Sequence, residues 1–208
     1  MLQLKLYQMN KKILNHFRIN DPILHSYALQ VELSPTKKDS LKNYFYRLCR
    51  EIICQQLSDR AGEAIFNRFQ KLFSNNTIVP SDVLSISHEK LRASGMSNAK
   101  ARYVKNLADS VIKKELNFSS FDSLTDIEIV KELTKVKGIG PWTAEMFLMF
   151  VLGRENIFSH GDLGLKKGII KVYKLKKEPT KKQVEKIISQ WSPYKTYGSR
   201  ILWASLEL

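Results

Sequence analysis

Leu133-Thr134-Lys135-Val136-Lys137-Gly138-Ile139-Gly140-Pro141-Trp142-Thr143-Ala144 carries more structural information than any other part of this 208-residue chain. Upstream of it, Thr125 and Glu128 stand at capping-box spacing, and Ile127, Val130, Leu133 and Thr134 keep a helical period that stops before Gly138. Downstream, Pro141 suits a first helical position, where its missing N–H would have had no partner, and Ala144 to Leu152 can propagate a helix to Gly153. Two helices joined by a glycine hairpin follow. Gly138 and Gly140 carry no side chain, so backbone N–H groups there can approach an anion closely. The positive end of the second helix dipole and the charges of Lys135 and Lys137 act in the same direction. Taken by itself, Gly-Ile-Gly-Pro reads first as an ordinary turn between helices.

Working outward, Ser159-His160-Gly161-Asp162-Leu163-Gly164 places an aspartate where it can cap the helix that begins there, and that helix N-terminus would help keep the carboxylate ionised. From Asp39, the residues Leu41, Tyr44, Phe45, Leu48, Ile52 and Ile53 recur at helical spacing up to about Leu57. Ser58 then caps a helix through Ala64, Ile65, Phe69 and Leu72. Pro80 and Ser87 introduce short helices, and Ser94 to Asn98 form a turn before a helix from about Ala99 to Leu116. Thr180 and Gln183 repeat the capping-box pattern for a helix ending near Trp191, and Ser192-Pro193 starts a last one. Before all of these, Asp21-Pro22 opens a helix through Tyr27 and Leu29 that Ser34-Pro35 breaks; the rest of residues 1 to 38 carries no clear pattern. No run reads as a strand, so the fold class is all-α.

Composition narrows the partners. An apolar content of 43% is globular, and no apolar run is long enough to span a bilayer. The N-terminus, with Lys5, Lys11 and Lys12 among polar residues, lacks a secretory apolar core, which predicts a cytoplasmic or otherwise intracellular protein, associated with nucleoid or nucleus. Thirty-four basic against 20 acidic residues give a net charge of +14, which favours a polyanion and nucleic acid first. The same excess could reflect the lysine-rich proteome of an AT-rich genome. Because the charge is spread along the chain, membrane-surface binding is disfavoured. The two cysteines, Cys49 and Cys54, fall in one predicted helix and suggest neither a disulfide framework nor a zinc site.

Val136 to Ala144, with Asp162 twenty positions after Trp142, resembles the helix-hairpin-helix plus Gly/Pro-rich loop and aspartate signature of DNA glycosylases, closest to the alkylation-repair, 3-methyladenine DNA glycosylase II branch. Ile52-Ile53-Cys54-Gln55-Gln56-Leu57-Ser58 and the run from Trp191-Ser192-Pro193-Tyr194 to Ile201-Leu202-Trp203 resemble the same branch, and the likeness covers roughly residues 20 to 208. It implies two helical subdomains flanking a DNA-binding cleft. The expected division is an N-terminal segment 1–38 packing with the C-terminal helices, a central subdomain 39–153 with the hairpin motif at about 126–152, and a segment 154–208 with the aspartate loop and last helices. Fewer than forty residues before the first matching helix predict that the N-terminal β-rich domain of some bacterial relatives is missing. The four C-terminal cysteines of the endonuclease III branch have no counterpart after Cys54.

The resemblance makes Asp162 the catalytic carboxylate. Breaking an N-glycosidic bond leaves positive charge on the sugar, which a carboxylate can stabilise while it orients or deprotonates water. At about 4 Å and an effective dielectric of about 20 such a pair is worth about 4 kcal/mol, about three decades in rate. Alkylated purines are already good leaving groups, so the pocket chiefly selects and positions. Trp142 and Trp203, with Tyr197 as a weaker candidate, would be its aromatic walls, since stacking and cation–π attraction favour a cationic base. Core packing is the alternative for each ring. Met146 stands where a relative has a pocket tyrosine, which bears on substrate range. Trp142 replaces the lysine with which bifunctional relatives attack the sugar, so hydrolysis without strand cleavage is expected.

By the same resemblance Leu57 is the apolar wedge that fills the gap left by a flipped nucleotide, and Gln56 contacts the base stack or the opposing strand. Leu57 packed between two helices is the alternative. Lys135, Lys137, Gly138 and Gly140 would bind the DNA backbone, and Lys100 and Arg102 could pair with phosphates or lie on a solvated face. His160 reads as a loop or phosphate-side residue. The superfamily hairpin often holds a structural Na+ or K+ through backbone carbonyls, here those of Thr134, Val136 and Ile139; no cofactor is otherwise required. The expected partner is double-stranded DNA containing alkylated bases, met by a monomer. A non-enzymatic helix-hairpin-helix DNA-binding module, or polyanion binding through charge alone, would need neither Asp162 nor an aromatic pocket.

Overall fold

The computed structural model describes residues 10–208, so the reading of Lys5 lies outside the described residues. In chain order the helices are α1 Lys11–Asn20, α2 Pro22–Ala28, α3 Tyr44–Cys54, α4 Asp59–Gln70, α5 Pro80–Ser85 and α6 His88–Ala93. They continue with α7 Asn98–Ile112, α8 Asp126–Thr134, α9 Pro141–Phe150, α10 Leu163–Val172, α11 Lys181–Ser189 and α12 Lys195–Ser205. Among the described residues there is no strand, as expected from the sequence. None of these helices is long and apolar enough to cross a membrane.

The described residues divide into two compact units, one of Asp39–Phe147 and one of Leu148–Leu208 with the described residues that precede Asp39. In the second, α1 and α2 pack with α10, α11 and α12 around Phe17, Leu24, Leu165, Ile169, Trp191 and Leu202. Asp21 is 5% exposed and organises this core. Its Oδ1 accepts the Leu24 N–H at 2.9 Å and caps α2, while Oδ2 accepts from Trp191 Nε1 at 2.8 Å and from the Tyr173 hydroxyl. A buried carboxylate is tolerable there because donors surround it. In the other unit α3 packs on α4 and α7, with Leu48, Ile52, Ile53 and Phe66 fully buried and Tyr44 edge-on to Phe147 at 5.4 Å. Both cysteines lie on α3, Cys49 buried and Cys54 partly so, with burial pushing both thiols up.

Both capping boxes form, at Thr125/Glu128 and Thr180/Gln183. Several boundaries shift. The helix expected from Asp39 opens as a 3-10 turn over Leu41–Asn43 and ends at Cys54, because Gln56 takes a left-handed φ of 56°. Helix α7 stops at Ile112 because Lys114 turns left-handed (φ 60°) and Leu116 N–H returns to the Ser110 carbonyl at 3.1 Å. The last helix starts at Lys195 rather than at Pro193, after a turn closed by Tyr194 N–H on the Trp191 carbonyl at 2.6 Å.

Candidate active site

Asp162 is the N-cap of α10, in extended backbone (φ −79°, ψ 120°) that lets its side chain fold back over the helix end. Oδ1 accepts the Leu165 N–H at 2.7 Å and also the indole Nε1–H of Trp203 at 3.0 Å, and the residue is 9% exposed. The carboxylate thus sits at a helix N-terminus with an indole donor beside it. Trp203 is partly buried on α12, and its ring lies 5.9 Å from that of Phe150 at 33°. His160 pairs with Glu185, Nε2 to Oε1 at 2.7 Å, and packs edge-on to Phe158 at 5.1 Å. Tyr197 is 2% exposed within the core, its hydroxyl accepting the Thr36 N–H at 3.0 Å and donating to Glu155 at 3.2 Å. That placement describes a core side chain more than a pocket wall.

The hairpin lies in the other unit. Helix α8 ends at Thr134, Ile139 N–H closes on the Val136 carbonyl at 3.0 Å, and Gly138 adopts φ 113°, a conformation few side chains tolerate. The turn after α3 is tied to it: Gln55 Nε2 donates to the Gly138 carbonyl at 3.1 Å and to Thr143 Oγ1 at 2.9 Å. Next in the chain, Gln56 and Leu57 are exposed, Leu57 by 38%. Leu57 follows the left-handed Gln56 and keeps part of its aliphatic surface open to solvent. Trp142 is partly buried, Met146 is 5% exposed, Lys137 is exposed, and Lys135 Nζ bonds both Glu132 carboxylate oxygens at 2.7 Å.

Lys100, which the sequence left between a phosphate contact and a solvated face, is engaged within the fold. Its Nζ donates to the carbonyls of Ile53 at 2.8 Å and Gln55 at 2.7 Å, satisfying the C-terminus of α3, and desolvation lowers its pKa. Arg102 remains exposed. Gln55, Lys100 and Tyr103, whose ring abuts Gly138, are the supports that sequence reasoning missed. Partners 35 to 88 positions apart leave no periodic trace.

The carbonyls proposed for a cation offer oxygen alone, which suits a hard monovalent ion, and Thr134 ends α8, where last-turn carbonyls have no helical partner. Among the described residues no cluster of three or more His, Cys, Asp or Glu could hold a metal through side chains.

An all-helical chain carrying a glycine hairpin between α8 and α9 and an aspartate at a helix N-terminus defines a helix-hairpin-helix protein. The family model of the HhH-GPD superfamily base excision DNA repair protein matches residues 49–193, and the chain belongs to that superfamily. It is 32% identical over 176 residues to DNA-3-methyladenine glycosylase 1 of Schizosaccharomyces pombe, covering 84% of this chain and 77% of that one. The putative DNA-3-methyladenine glycosylase YfjP of Bacillus subtilis is 32% identical over 162 residues, 75% of this chain and 56% of that one. The solved 3-methyladenine DNA glycosylase of Schizosaccharomyces pombe, in complex with abasic DNA, superposes with a TM-score of 0.84 at 30% identity over 95% of this chain and 98% of that one.

Proposed function

We propose that the protein is a monofunctional DNA glycosylase that hydrolyses the N-glycosidic bond of alkylated purines, of the 3-methyladenine type, in duplex DNA and so initiates base excision repair. The observation that carries this reading is the Asp162 carboxylate, nine-tenths buried at the head of α10 and held by two N–H donors. The relatives' names support the substrate class, and the complex of one neighbour with abasic DNA supports duplex DNA as partner.

The hairpin at Gly138 and Gly140, with Lys135 and Lys137, takes the strand by its backbone, and bound Na+ or K+ at the carbonyls of Thr134, Val136 and Ile139 would add a positive charge there. Leu57 fills the space vacated by the flipped nucleotide, with Gln56 beside it. As the bond between the anomeric carbon and the base nitrogen breaks, its electron pair leaves with the base. Asp162 then stabilises the positive sugar and orients the water that attacks it, whose proton passes to the carboxylate and on to solvent. Trp203, beside Asp162, offers an aromatic ring to the cationic base, and Trp142 and Met146 rest as base contacts on the family resemblance alone. Trp142 has no amine with which to form a Schiff base, so the strand stays whole and the enzyme acts as a monomer on one lesion.

The test is incubation with duplex DNA carrying one methylated purine. Free base and an abasic site that breaks only in alkali support the reading. DNA binding without base release supports a binding module instead, and equal affinity for RNA with a steep salt slope supports charge alone.

A further inference from the structure

The indole of Trp203 has two neighbours: its ring lies 5.9 Å from that of Phe150, tilted by 33°, and its Nε1 edge meets the Asp162 carboxylate. We propose that Trp203 is a positioning residue that orients the Asp162 carboxylate through its indole N–H, and that Gly164 is glycine so that the indole can reach. This rests on the reading of Asp162 as the catalytic carboxylate.

A carboxylate bonded only to its own helix end keeps freedom to rotate about its side-chain torsions. Here a second donor arrives from α12, 41 residues away in sequence, on the same oxygen that the Leu165 N–H holds. Two donors converging on Oδ1 fix the plane of the group. Reaction at the sugar requires such a fixed placement, because charge must stand where it will develop rather than reorganise toward it.

Gly164 shows that the approach is built in. A Cβ there would lie 2.9 Å from both Cδ1 and Nε1 of Trp203 and 3.0 Å from Asp162 Oδ1. Any side chain would wedge between the donor and its acceptor. Gly164 has no left-handed backbone to account for it, and in the first turn of α10 alanine would be the better helix former. The glycine is explained by the approach it leaves open.

The experiment combines a readout that needs no activity with one that does. The chain has three tryptophans, hence three indole N–H resonances in the 15N-labelled protein, and Trp203→Phe assigns one by removing it. Asp162→Asn should move the Trp203 indole resonance and leave that of Trp191, which bonds Asp21 instead. A Trp203 resonance indifferent to Asp162→Asn overturns the proposal, whether or not the wild type releases base. Trp203→Phe keeps an aromatic face but removes the donor; it and Gly164→Ala should each lower the single-turnover excision rate by about ten- to a hundredfold at unchanged affinity for abasic DNA. Unchanged rates in both variants also overturn it. If the indole responds as expected while the wild type releases no base, it is the glycosylase reading that fails.

Discussion

Gly138 lies so close to Tyr103 that a Cβ on it would come within 2.3 Å of the ring Cγ. With its φ of 113°, two independent constraints demand glycine at this one position of the hairpin. Gly140 differs: its Cβ would meet nothing within 4 Å, and its backbone is not left-handed. Gly138→Ala should therefore destabilise the protein by about 2–4 kcal/mol, read from the urea midpoint. Gly140→Ala should leave the midpoint within about 0.5 kcal/mol yet weaken binding to duplex DNA, because its methyl group stands on the surface that a phosphate would approach.

Gln55 ties the turn after α3 to the hairpin through its bonds to Gly138 and Thr143. Replacing it with alanine leaves two part-buried acceptors unserved and should cost about 1–3 kcal/mol. Chemical denaturation checks the cost. A larger loss of affinity for abasic DNA than Gly140→Ala produces would show that the wedge turn and the hairpin are positioned together.

Leu57→Ala should lower excision of a paired lesion by about tenfold, the equivalent of about 1.4 kcal/mol less apolar burial in the flipped state. Binding to undamaged duplex should hardly change. Because Leu57 is already 38% exposed in the absence of DNA, stability should not fall as it would for a core leucine.

The thiols give a pH prediction. Burial pushes Cys49 and, to a lesser degree, Cys54 upward, so the folded state keeps protons that the unfolded chain gives up near its ordinary thiol pKa. The thiols' contribution to stability is thus fully present below that value and is lost as pH rises above it. With a thiol-reactive disulfide at pH 8, both cysteines should react in denaturant. In the native protein Cys49 should be silent and Cys54 slow, its rate still climbing above about pH 8.5.

Most of the fold was legible because its signals are local. Thr125/Glu128 and Thr180/Gln183 announce helix starts within four residues, and the glycines and Pro141 mark the hairpin within a few more. Helix α1 left little trace, since only Ile13 and Phe17 of it are buried, while its other apolar residues, Leu14 and Ile19, are partly buried and exposed. What failed was long-range. Nothing around Lys100 foretells that it serves the end of α3, nor does anything around Trp203 foretell that its edge meets Asp162. Tyr197 entered as a ring for a pocket, but its hydroxyl is engaged by Thr36 and Glu155 inside the core.

The central claim is that one carboxylate performs the chemistry while other elements hold the DNA. Its direct measurement is the single-turnover release of 3-methyladenine by Asp162→Asn beside the wild type, with affinity for an abasic duplex determined on the same samples. The account predicts that release falls by about three decades or more while affinity stays within a few-fold. Release at the wild-type rate from the variant would contradict it.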